Sequence, residues 1–109
     1  MKYFEKDIKG GCYDEFAKGK WDGKTFWSSD SLYLYDDWID DLKLYTLIFS
    51  KVFEIYNRWG PNEVTHEQWT KMLSLSKEIG GEVEDLFREL EPWADENFKD
   101  HDVFTILGV

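Results

Sequence analysis

The sequence predicts an α+β domain. Three observations carry that reading. An alternating apolar stretch sits before residue 36, apolar stripes at helical spacing fill residues 38 to 98, and a β-branched segment closes the chain. At 109 residues the chain suits a single domain spanning 1–109. Aromatic residues make up 18% of it, far too many for a disordered acidic tail, so material for a packed core is present.

The elements follow in chain order. Residues 1–23 carry Gly10, Gly11, Gly19 and Gly23 among lysines, which suggests turns around short strands or an irregular arm. Tyr3, Phe4 and Tyr13 to Phe16 are its candidate buried anchors. Residues 25–35 read as a β-hairpin. Phe26 and Trp27 suit the first strand, Ser28-Ser29-Asp30 the turn, and Ser31 to Tyr35 the second strand. Alternation there sends Leu32 and Leu34 to one face and Tyr33 and Tyr35 to the other.

Trp38, Leu42, Tyr45, Phe49, Val52, Tyr56 and Trp59 then recur at helical spacing, which predicts one long helix over about 37–59. Gly60-Pro61 stops it. Thr65-His66-Glu67-Gln68 has the form of a capping box, with Gln68 three residues after the cap, and opens a helix over 66–79. Gly80-Gly81 ends that helix. Val83, Leu86, Phe87 and Leu90 give another over 82–91, and Pro92 starts a fourth over 92–99 because it lacks a backbone donor. Val103-Phe104-Thr105-Ile106-Leu107-Gly108-Val109 is too hydrophobic for a frayed tail. It predicts a strand at 103–108, set beside Leu32 to Tyr35 in a small antiparallel sheet packed by three to four helices.

The net charge of −10 has an address. Residues 30–41 hold five Asp and no base, and residues 82–109 hold nine acids against Arg88 and Lys99. The remainder is near neutral. Nucleic acid and anionic membranes are poor partners for such a chain, since both call for Lys and Arg clusters. No apolar run reaches the roughly 20 residues a membrane helix needs. The N-terminal residues lack the apolar core of a secretory signal. Cys12 is the sole cysteine, so an internal disulfide is impossible. The expectation is a cytoplasmic protein.

Catalytic and metal signals are thin. Cys12 has no neighbouring His, and His66 and His101 are the only histidines. Phosphate-loop, serine-hydrolase and zinc-protease motifs are missing. Asp36, Asp37, Asp40 and Asp41 lack the Gly turn and ligand spacing of a calcium loop. No cofactor, no metal and no enzymatic activity are expected.

The Asp cluster still asks for a reason. Asp36–Asp40 and Asp37–Asp41 are like-charge i,i+4 pairs, which destabilise an isolated helix. A helix N-terminus favours acids through its dipole, but that does not require four Asp in six residues. Rules broken locally often mark functional sites. Asp30, Asp36, Asp37, Asp40 and Asp41 are therefore candidate partner-binding acids, with Tyr33 and Tyr35 as candidate aromatic anchors. The competing reading makes the acids a solvated helix start and puts the tyrosines under the N-terminal arm. Trp38 opens the apolar stripe and suits the core. The acids of residues 82–102 lie off the apolar stripe and read as a solvated face.

A strand entering D-D-W-I-D-D, the capping T-H-E-Q-W and the closing F-T-I-L-G-V, on an acidic, aromatic-rich chain, resemble the small immunity proteins of bacterial contact-dependent inhibition and related polymorphic toxin systems. The resemblance implies a cytoplasmic protein that binds and blocks one cognate toxin domain, often a basic nuclease. An acidic inhibitor can fill a phosphate-attracting cleft with carboxylates and steer association electrostatically. A different acidic interaction module, a nucleic-acid mimic, a regulatory subunit and a small enzyme remain as alternatives.

Overall fold

The computed structural model of the chain describes residues 1–7 and 10–108. Five antiparallel strands form one sheet: β1 (Phe4–Glu5), β2 (Tyr13–Lys18), β3 (Leu32–Tyr35), β4 (Pro61–Thr65) and β5 (Val103–Leu107). Their order across the sheet is β1-β3-β2-β5-β4. Helices α1 (Asp36–Asp41), α2 (Ser50–Val52), α3 (His66–Ile79) and α4 (Gly81–Asp100) pack the sheet, with a π-helical turn at Tyr45–Phe49. The α+β class read from the sequence is the class observed.

The core lies between the helices and one sheet face. Phe4, Phe16, Leu32, Leu34, Val64, Phe104 and Ile106 supply the sheet side, and Trp69, Met72, Leu86, Phe87 and Leu90 meet them from α3 and α4. Alternation along each strand puts these side chains on one face. The capping box forms as expected. Gln68 N–H donates to Thr65 Oγ1 at 3.1 Å, and Thr65 N–H donates to Gln68 Oε1 at 2.9 Å.

Several elements differ from the sequence reading. Strand Leu32–Tyr35 exists, but its partners are β1 and β2, not residues 25–30. In place of a hairpin, the backbone N–H groups of Lys24, Thr25, Trp27 and Ser28 donate to side-chain carboxylates. Trp27 N–H donates to the Glu15 carboxylate at 3.0 Å, and Asp22 Oδ1 accepts from Lys24 N–H and Thr25 N–H. Trp27 also has φ 60, a left-handed turn that interrupts an extended strand. This segment lies over the second sheet face, where Tyr13, Glu15, Ala17 and Tyr33 are buried.

The C-terminal strand pairs with β2 and β4, so β2 separates it from Leu32–Tyr35. Strand β4 had no counterpart in the sequence reading. It alternates buried Asn62 and Val64 with exposed Pro61, Glu63 and Thr65, and Pro61 begins it at the sheet edge, where a missing N–H is tolerated. Val109, read as the end of the closing segment, lies outside the described residues.

The single helix over 37–59 is broken. Lys43 takes φ 55, a left-handed position that ends α1, and Phe53 is extended at φ −100, ψ 140. From there to Gly60 the chain is irregular. Its aromatic stripe packs as far as Tyr56, which folds back to stack on Phe49 at 4.5 Å and 11°, whereas Trp59 is exposed. Conversely, Pro92 does not divide the last helix. It lies inside α4 on the exposed side, as does Arg88, whose carbonyl loses its donor, so water can replace the missing bond. Gly80 and Gly81, at φ 71 and 58, make the break between α3 and α4, where an L-residue would be strained.

Among the described residues, no helix is long and apolar enough to cross a membrane.

Candidate functional site

Strand β3 runs directly into α1, and Asp36 N–H donates to Cys12 O at 3.0 Å, which seats the helix start at the end of β2. Antiparallel pairing brings other chain segments to that same sheet end. Tyr13 pairs with Tyr35, Glu15 with Leu107, and Leu107 with Pro61. Gly108 N–H donates to Gly60 O at 3.0 Å, holding the end of the irregular 53–60 segment there. The site is thus assembled from the β3–α1 junction and residues 53–60.

Asp37, Asp40 and Asp41 are exposed, while Asp36 is half-buried. Burial raises the Asp36 carboxyl above its ordinary range. Arg58 opposes the rise, and Asp40 and Asp37 add to it. Arg58 Nη2 stands 3.8 Å from Asp40 Oδ1, with the two side chains 47% and 61% exposed. A pair this long and this wet contributes about 1 kcal/mol at most. Among the described residues, Asp37 and Asp41 have no ion-pair partner.

Beneath them lies Asp14. It pairs with Leu34 across β2 and β3, so its side chain enters the helix-packed face, where it is 2% exposed. Tyr56 Oη–H donates to Asp14 Oδ2 at 3.2 Å. Burial, then the neighbouring Asp36 charge, pushes the Asp14 carboxyl up to about 7, against smaller opposing effects of Tyr56 and Arg58. The same burial, reinforced by Asp14, drives the Tyr56 hydroxyl far above its ordinary value, so it stays a neutral donor. Tyr45 is pushed up to about 12, first by burial and then by Asp14.

Aromatic rings surround this acid. Tyr45 lies 5.3 Å from Tyr56, and together with Phe53 they wall an open groove of about 430 Å³ that Arg58 also lines. The Arg58 guanidinium sits over Tyr45 at 4.9 Å and over Trp59 at 5.5 Å. Trp59 and Ile55 project outward, 71% and 84% exposed. Trp27, 63% exposed, reaches the same sheet end by donating from Nε1 to Tyr13 Oη at 2.6 Å.

The residues singled out from sequence divide. Asp36, Asp37, Asp40 and Asp41 do come together, with Tyr35 half-buried at the helix cap. Tyr33 is not a surface anchor: it is buried, edge-on to Tyr13 at 5.6 Å, because the 22–30 segment covers the face it occupies. Asp30 lies the full length of β3 away, where its carbonyl accepts from Trp93 Nε1 at 2.8 Å. Sequence reasoning missed Asp14, Arg58, Trp59, Ile55 and Trp27. The available signals were two acids in the otherwise apolar run Tyr13 to Ala17, and an isolated Arg-Trp pair before Gly60-Pro61.

The second acidic block behaves differently. Glu84 and Asp85 pair with Arg88 at 3.1 and 3.6 Å, and Glu96 pairs with Lys99 at 3.2 Å, all within α4. Glu89 accepts from the N–H groups of Lys2, Tyr3 and Phe4 at 3.0, 3.0 and 2.9 Å and so fixes the N-terminal strand. Cys12 is exposed at the start of β2, whereas His101 packs on Gly19 just beyond the other end of that strand. His66 follows Thr65, which pairs with Val103 at that far end. Among the described residues, no group of three His, Cys, Asp or Glu is placed to hold a metal ion.

No family model, curated protein or solved structure matches this chain.

Proposed function

We propose that this protein binds a basic protein partner through the β3–α1 junction, as an immunity protein neutralising a cognate toxin domain. The observation that carries the reading is exposed Asp40, linked through Arg58 at 3.8 Å to outward-facing Trp59, whose ring lies 5.5 Å from that guanidinium, with exposed Asp37 and Asp41 on the same short helix. An exposed Trp next to an Arg–Asp pair suits a contact surface. Trp beside charged groups is the composition of interface hot spots. A basic nuclease cleft supplies the complementary charge, and the field of the Asp cluster accelerates encounter.

The test pairs the protein with the product of the adjacent gene, which this reading requires to be a basic toxin domain. The expected result is a stable complex and loss of toxin activity. Asp37→Lys and Asp41→Lys together should slow association and abolish protection, while the fold persists because both side chains are exposed. A complex that ignores this charge reversal, or the absence of any complex, refutes the reading.

A further inference from the structure

We propose that the groove walled by Tyr45, Phe53 and Tyr56 is an arginine-recognition site for the partner, and that Arg58 holds its place in the free protein. The inference rests on the reading above, that the partner is basic, and specifies which basic group it presents and where that group enters.

Shape comes first. The groove offers about 430 Å³ beside Arg58, and three aromatic side chains line it. Flat ring faces suit a planar, weakly hydrated guanidinium better than a compact ammonium. Arg58 already makes one such contact at the groove edge, its guanidinium lying over the Tyr45 ring at 4.9 Å. Charge comes second. Asp36 and Asp40 lie around this one cation, and Glu54 stands at the groove rim. The acids outnumber Arg58, so the site retains attraction for a further cation. Retention comes third. Arg58 is held by one long, half-exposed ion pair and by ring stacking, with no side-chain hydrogen bond among the described residues. Two guanidinium groups on one set of carboxylates repel each other. Entry of a partner's arginine therefore releases Arg58 toward solvent.

Arg58 and Arg88 are the only arginines in the chain, so the Nε–Hε region of a ¹⁵N spectrum holds one reporter and one internal control. The probe is a short peptide of alternating Arg and Gly, with the Lys-Gly peptide as comparison. The Arg58 resonance should move to saturation while Arg88 stays, and the lysine peptide should bind more weakly by roughly threefold or more. Arg58→Gln should bind the arginine peptide more tightly, because a competing cation is gone. Tyr45→Leu should weaken binding by roughly threefold, and Tyr45→Phe, which keeps the ring and the packing, should not.

An unmoved Arg58 resonance, equal affinity for the lysine peptide, or weaker binding by Arg58→Gln overturns the proposal. The last result would make Arg58 itself a contact to the partner. A toxin domain that binds without moving the Arg58 resonance refutes the arginine site and leaves the immunity reading standing. Arginine-peptide binding by a protein that ignores the toxin does the reverse.

Discussion

Replacing Asp14 with Asn removes a buried charge while keeping the shape and an acceptor for Tyr56. The carboxyl is raised from 3.8 to about 7 on folding. A raised acid leaves the folded state fully favoured below the unfolded pKa, and that advantage is lost as pH rises through the folded value. Asp14 therefore erodes stability between about pH 4 and pH 7. A tenfold change in proton affinity corresponds to about 1.4 kcal/mol, so the loss reaches at most about 4 kcal/mol above pH 7. Asn cannot ionise. Asp14→Asn should match the parent near pH 4 and exceed it by up to about 4 kcal/mol at pH 8. Urea denaturation at pH 4, 6 and 8, followed by tryptophan fluorescence, reads the difference directly. A variant no more stable than the parent at pH 8, or one whose advantage is the same at pH 4, would show that Asp14 is not held in a charge-excluding site.

Three further outcomes follow from the contacts described. Glu89→Gln should loosen the N-terminal strand and lower stability by about 2 kcal/mol in urea melts, with faster amide exchange at Tyr3 and Phe4, because three backbone donors lose a charged acceptor. Thr65→Ala should cost about 1 kcal/mol in the same assay by removing the cap of α3. Trp59→Ala should leave stability within about 0.5 kcal/mol, since the side chain is 71% exposed, yet weaken toxin-domain binding by about 2 kcal/mol or more in calorimetry.

Local chemistry made part of this fold legible. The Thr65–Gln68 capping box, the Gly80-Gly81 break and the apolar stripe of Val83, Leu86, Phe87 and Leu90 need only neighbours a few residues away. Other elements depend on distant partners. Whether residues 25–30 pair with β3 or cover the sheet is decided by Glu15, twelve residues upstream of Trp27, whose carboxylate captures the Trp27 N–H. Tyr33 reads as surface by alternation, but alternation cannot say whether the second face is covered.

The clustering of Asp36, Asp37, Asp40 and Asp41 was already decided in the sequence, because six consecutive residues of one short helix cannot separate them. The α+β class was decided there too, by period-two and helical apolar patterns. Tertiary structure alone set Asp14 beneath Asp36 and brought Arg58 and Trp59 to the same sheet end. The physical reason is register: β2, β4 and β5 pair residues dozens of positions apart. Those pairings, not local propensity, determine which charges and rings share a surface.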